Sequence, residues 1–203
     1  MKNTVEVRSF VNGQLEENCY LIYVPGAREG LLIDPGSSPS EIIRNIDALG
    51  VRPVLILATH GHFDHVGAVK RIKERYQAPF YCPEADLGHL RFLGAEAPEP
   101  DRLLKGGEAL EAGGLKVKVL ATPGHTEGGL CYLLEEEGLL FSGDTLFEGT
   151  VGRSDLPGGS VQDLTRSLKQ VLRPLKDGIR VYPGHGEATT MGREKKLNPY
   201  LRP

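Results

Sequence analysis

Four potential metal ligands, His60, His62, Asp64 and His65, fall within six residues in THGHFDH, directly after the apolar run VLILAT at 54–59. A run apolar at nearly every position fits a central strand covered on both faces. Beyond the cluster, Val66, Val69, Ile72 and Tyr76 recur at helical spacing, so strand, ligand-bearing loop and helix follow in succession. The placement is repeated. His125 follows a strand pattern in ATPGHTEGG, Asp144 ends one in LLFSGDT, and His185 follows one in VYPGHG. Every candidate sits where a strand ends and a loop begins, so one sheet edge could gather them all.

Imidazole and carboxylate suit zinc, iron or manganese, and the absence of cysteine from the set disfavours a closed structural zinc site. Five histidines and two aspartates exceed the need of one tetrahedral ion and fit two ions sharing a bridging aspartate. A metal pair roughly 3.5–4 Å apart can lower the pKa of a bridging water to about 7 and clamp the attacking and leaving oxygens. A lone histidine is more often structural than ligating, and His89, inside a helical stretch, is read that way. The glycine-flanked loops at His60, His62, His125 and His185 indicate backbone bent tightly around something.

The rest of the chain supplies the frame. Residues 4–11, 18–25 and 30–36 read as strands of an antiparallel meander. A helix follows, with Ser38 and Glu41 as a capping box, Pro39 at its first position, Ile42, Ile43, Ile46 and Leu49 as its stripe, and Gly50 as its stop. A short helix is expected near 84–92 and then a loop. Strand patterns resume at 115–122, 130–136 and 138–144. A second helix starts at Ser160, boxed by Asp163, with Val161, Leu164, Leu168 and Val171 on its apolar side. Residues 179–186 give the last strand and loop, and 191–198 a final short helix. The halves are loosely alike, which predicts two sheets packed face to face with helices outside.

At 203 residues the chain is expected to form one domain over 1–203. A net charge of −3 makes no case for nucleic acid or an anionic membrane as partner. The short basic run of Arg193, Lys195 and Lys196 reads as a solvated helix face. The start, MKNTVEVRSF, has no apolar core for a secretory signal, and no segment is apolar enough to span a bilayer. Cys19, Cys82 and Cys131 form no CxxC and read as buried thiols in a reducing compartment. A soluble cytoplasmic protein is the expectation.

The motif His-x-His-x-Asp-His at 60–65, together with LLIDPG at 31–36 and the later histidine loops, resembles the metallo-β-lactamase superfamily over nearly the whole chain. The resemblance implies an α/β fold, the four-layer αββα sandwich of two mixed sheets. It assigns His60, His62 and His125 to one ion, Asp64, His65 and His185 to the other, and Asp144 to the bridge. Asp34 matches an aspartate that supports the site from behind the ligands. The segments 143–159 and 184–199 are similar to short glyoxalase II-like hydrolases, which implies cleavage of hydroxyacyl thioesters such as S-lactoylglutathione. In that chemistry a bridging hydroxide attacks the thioester carbonyl, a metal stabilises the oxyanion and a thiolate leaves; Asp64 could orient the water. The helical C-terminal domain of full-length glyoxalase II is not expected here, and its Lys-x-x-Tyr stretch is replaced by Arg153-Ser154-Asp155. Arg153 could meet a substrate carboxylate, or could pair with Asp155 or Glu148.

The main rival reading is a persulfide dioxygenase of the same fold, which carries a GRxD segment like Gly152–Asp155 and holds one iron at positions matching His60, His125 and Asp144. A lactonase, β-lactamase or phosphodiesterase of the superfamily, or a metal-binding module without catalysis, completes the alternatives.

Overall fold

The structure, a computed structural model, describes residues 4–202. The first sheet opens as an antiparallel meander of β1 (Glu6–Asn12), β2 (Glu17–Tyr23) and β3 (Glu29–Ile33). Helix α1 (Pro39–Leu49) carries the chain over to β4 (Arg52–Leu57), parallel to β3. A single turn, α2 (Phe63–Val66), and α3 (Val69–Tyr76) lead to β5 (Phe80–Pro83). Helical turns through 84–96, including α4 (Leu87–Leu90), lead to β6 (Arg102–Leu104). The order in the sheet is β1-β2-β3-β4-β5-β6.

The second sheet repeats the plan. An antiparallel run of β7 (Ala109–Ala112), β8 (Leu115–Ala121), β9 (Leu130–Leu134) and β10 (Leu139–Gly143) is followed by a small hairpin, β11 (Leu146–Phe147) and β12 (Thr150–Val151). Helix α5 (Val161–Arg166) continues as a wider π-type turn to Leu172. Then β13 (Arg180–Pro183) joins β10 in parallel, β14 (Thr189–Thr190) closes the edge, and α6 (Met191–Leu197) follows.

Side-chain alternation along the strands builds the layers. On β2, Tyr20 and Ile22 point into the space between the sheets, with Val117, Val119, Leu130, Tyr132 and Phe141 of the second sheet. Cys19 and Leu21 point the other way, to Ile42, Ile46, Val69 and Ile72 of α1 and α3. The second sheet shows its outer face, with Cys131, Leu133, Leu140 and Val181, to Leu164, Leu168 and Met191. This is the expected four-layer αββα arrangement. Every residue of β2 and β9 is buried because each strand is covered on both sides.

Several local expectations need correcting. Ser38 makes no side-chain cap: its backbone is left-handed (φ 49°), whereas a capping hydroxyl needs an extended residue. Gly50 does close α1 in the left-handed conformation. Leu49 and Val161 lie exposed, just outside the stripes they were placed on. Ser160 Oγ accepts from Asp163 N at 3.2 Å, but the Asp163 carboxylate pairs with Arg166 at 2.6 Å, so the box forms on one side only. The helix expected from Val66 to Tyr76 is broken at Gly67–Ala68. The strands β6 and β7 fall where a loop was expected. Arg193 and Lys195 pair with Glu148 and Asp177, as a solvated helix face does. All three cysteines are buried and unpaired. Among the described residues no helix is long and apolar enough to cross a membrane.

A side-chain hydrogen bond is among those that tie the sheets together at the end where the ligands emerge. Tyr132 Oη on β9, fully buried, donates to the Ala58 carbonyl at 2.6 Å. Tyr132→Phe should leave that carbonyl unpaired and cost about 1–3 kcal/mol in urea unfolding, with the fold retained; an unchanged midpoint would mean that another group satisfies Ala58.

Candidate metal centre

Strand direction explains why the candidates meet. β3 and β4 run parallel in one sheet; β8, β10 and β13 share a direction in the other. Their C-terminal ends lie at one end of the sandwich. Asp34 follows β3, the His60–His65 segment follows β4, His125 follows β8, Asp144 follows β10 and His185 follows β13. Hydrogen bonds between the sheets fasten this end: Leu130 N to Thr59 O at 2.8 Å and Asn18 N to Gly184 O at 2.8 Å. Asp64 and His65 sit in the one-turn helix α2 and not in an open loop. That turn presses on Gly36, where a Cβ would come 1.5 Å from the Asp64 carbonyl oxygen, so only glycine fits beneath it.

All seven predicted ligands converge. His62 Nδ1 lies 3.1 Å from His60 Nε2 and 3.0 Å from His125 Nε2. A second group forms from Asp64, His65 and His185: His185 Nε2 is 3.4 Å from Asp64 Oδ2 and 3.4 Å from His65 Nε2. Asp144 lies between the groups, with Oδ1 3.4 Å from His65 Nε2 and Oδ2 3.5 Å from His125 Nε2 and 3.7 Å from His185 Nε2.

The outer faces of the rings decide what the inner faces offer. His125 Nδ1 donates to the Arg153 carbonyl at 2.7 Å, and His185 Nδ1 to the Leu15 carbonyl at 2.9 Å. His65 Nδ1 donates to Asp34 Oδ2 at 3.1 Å. The Thr59 hydroxyl gives its proton to Asp34 Oδ2 at 2.7 Å and so receives that of His60 Nδ1 at 3.1 Å. These partners fix the tautomers and turn four Nε2 lone pairs inward. Facing them are carboxylate oxygens and more lone pairs. Asp144 Oδ1 is buried without a hydrogen-bond partner. Such a set of acceptors calls for a cation, and its imidazoles and carboxylates match zinc, iron or manganese.

The charge balance agrees. Burial, reinforced by the neighbouring His65, His125 and His62 imidazoles, holds His60 well below the usual imidazole range, and burial with His125 and His89 lowers His62 to about 4. These rings stay neutral donors of electron pairs. Around the second group the field is negative. Burial opposes charge on His65, yet Asp144 and Asp34 raise it well above its usual value, and a hydrogen bond to Asp64 raises His185.

Asp34 therefore stands behind both groups at once, supporting His65 directly and His60 through Thr59. Its left-handed backbone (φ 50°), which aspartate tolerates, lets its carboxylate reach back to Thr59 N at 2.7 Å. Arg153 is placed differently from a free substrate-binding cation. Its guanidinium is exposed and held by Asp155 through two bonds of 2.8 Å, and only its carbonyl reaches the centre. His89 is half-buried, its ring 5.1 Å from that of His62, so it borders the centre. Two contributors had no signal of their own in the sequence. Asn18 Nδ2 donates to Pro183 O at 3.1 Å and to Gly186 O at 2.9 Å, bracing the His185 loop. Glu17, fully buried, lies 4.0 Å from His65 Nδ1.

Over residues 12–185 the chain matches the metallo-beta-lactamase superfamily. It belongs to that superfamily. A relative in Haemophilus influenzae, named hydroxyacylglutathione hydrolase GloC, is 35% identical over 92% of this chain and 93% of its own. Among solved structures, TTHA1623 in a di-iron-bound form is 38% identical, with TM-score 0.88 over 96% of this chain and 100% of that one. ETHE1 from Myxococcus xanthus is 31% identical, with TM-score 0.82 over 96% of this chain and 83% of that one. Membership places the cluster in a superfamily of metallo-hydrolases.

The lowered His62 gives a test of the metal-stripped protein. Its folded value of about 4 lies below the ordinary 6.5, so the stability that His62 contributes is present above pH 6.5 and is lost as pH falls towards 4. In side-chain NMR of chelator-treated protein, His62 should titrate near pH 4; a midpoint near 6.5 would contradict its burial.

Proposed function

We propose that the protein is a metal-dependent thioester hydrolase of the glyoxalase II type, acting on hydroxyacyl thioesters such as S-lactoylglutathione. His60, His62 and His125 would hold one divalent ion and Asp64, His65 and His185 a second, with Asp144 within reach of both. The observation that carries the reading is the position of Asp144, one oxygen 3.4 Å from His65 Nε2 and the other 3.5 Å from His125 Nε2. A carboxylate so placed belongs to both groups. Zinc, iron and manganese all suit the ligand set, and the di-iron form of TTHA1623 puts iron beside zinc as the ion to try first.

When bound, the ions lower the pKa of a water to about 7 and polarise the thioester carbonyl. The chain supplies the rest. Asp64, only partly exposed and 3.4 Å from His185, is placed to accept a hydrogen bond from the attacking water and so orient it. Asp34, Leu15 and the Arg153 carbonyl keep four imidazoles aimed while charge develops. The leaving thiolate needs no proton, so no general acid is required. A cysteine nucleophile has no support: burial pushes Cys82 up to about 12, Cys131 up to about 11 and Cys19 well above its usual value. Similarity to GloC of Haemophilus influenzae supports the substrate class. A glutathione carboxylate would have to compete with Asp155 for Arg153.

The likeness to ETHE1 favours a second reading, a dioxygenase with one iron at His60, His125 and Asp144. The two readings separate in one pair of assays. The hydrolase cleaves S-lactoylglutathione without oxygen and takes up no oxygen with glutathione persulfide. Persulfide-dependent oxygen uptake without thioester cleavage would replace it with the dioxygenase. Asp144→Ala should lower thioester cleavage by more than about 100-fold and reduce metal content; near-normal turnover and metal would refute the bridge.

A further inference from the structure

Asp86 lies in the helical turn after β5, remote in sequence from every candidate ligand, and is 1% exposed. Its carboxylate accepts three hydrogen bonds from two loops. Oδ2 takes Gly61 N at 2.8 Å and Thr126 Oγ1 at 2.8 Å, and Oδ1 takes Gly128 N at 2.7 Å. Gly61 lies between His60 and His62, and Thr126 follows His125. The first loop leaves β4 in one sheet and the second leaves β8 in the other. Both approach Asp86 at a glycine. A Cβ on Gly61 would stand 2.8 Å from the Asp86 carbonyl oxygen, and one on Gly128 would stand 2.5 Å from Asp86 Oδ1.

We infer that Asp86 is the positioning residue for the His60–His62–His125 half of the centre, setting the approach of His62 to His125 across the two sheets. An ionised carboxylate suits this task because all three of its neighbours donate. Asparagine would turn an N–H towards one of those donors, lose that bond and push the loops apart. The other half is held by different groups: Asp34 on His65, and Leu15 O and Asn18 on the His185 loop. Asp86 therefore acts on one triad and not on the other. Sequence pattern gives it no prominence, since an aspartate in PEADLGHL reads as an ordinary helix-start residue.

The inference rests on the two-ion reading above, and cobalt(II) binding to metal-stripped protein tests both separately. His185→Ala leaves the first triad intact and His62→Ala leaves the second. In the His185→Ala background, adding Asp86→Asn should weaken cobalt binding about 10- to 100-fold, read by visible absorption. In the His62→Ala background the same change should shift it less than about 2-fold. Thr126→Val, which removes one of the three bonds, should give a smaller loss with the same selectivity, and it decides the matter if Asp86→Asn does not fold. Equal losses in both backgrounds, or none in the first, would overturn the positioning role while the two-ion reading stands. A parent variant that binds no cobalt would refute the two-ion reading and the inference with it.

Discussion

Four imidazole Nε2 atoms, whose Nδ1 protons are committed elsewhere, face two carboxylates across a space that a divalent cation would fill. That constraint governs the architecture. The ring protons go to Thr59, Asp34, the Arg153 carbonyl and the Leu15 carbonyl, which lie on four separate segments drawn from both sheets. No single loop could supply such a cage. Two sheets whose like-directed strands end on one side can, because each strand end delivers one ligand-bearing turn and the neighbouring strand delivers its support.

The interior of the sandwich holds these strand ends together. Apolar side chains between the sheets fix their separation, and the Tyr132 hydroxyl, Leu130 N and Asn18 N fasten the ligand end. The centre's two halves then differ in character. Around His60 and His62, burial and the neighbouring imidazoles hold the rings below their usual pKa. Around Asp64, His65 and His185 the carboxylates create a negative field, and the His185 side chain is 26% exposed. Two halves that differ in this way can bind two ions unequally.

Much of this was legible in the sequence, for identifiable reasons. The continuous apolar runs gave the buried strands, and the histidines at their ends gave the site, because imidazole and glycine clustered at strand ends have few other uses. Asp34 came only from the family resemblance, since by pattern alone an aspartate at a strand end reads as an ordinary turn residue. What stayed hidden has a physical cause in each case. The supports of His125 and His185 are backbone carbonyls of Arg153 and Leu15, and a carbonyl leaves no mark on residue identity. Ser38 looked like a cap, but its backbone is left-handed and its hydroxyl makes no bond to the helix amides. For Arg153 the sequence left a substrate carboxylate and a pair with Asp155 or Glu148 both open, and the structure shows the pair with Asp155. The short strands β6 and β7 carry too few alternating residues to stand out from a loop.

The central claim is that two ions occupy the two triads and meet at Asp144. Anomalous diffraction at the metal edge, on crystals grown with zinc or iron, tests it most directly. Two peaks are predicted, one among His60, His62 and His125 and one among Asp64, His65 and His185, with Asp144 touching both. A single peak at His60, His125 and Asp144, unchanged at excess metal, would contradict the account.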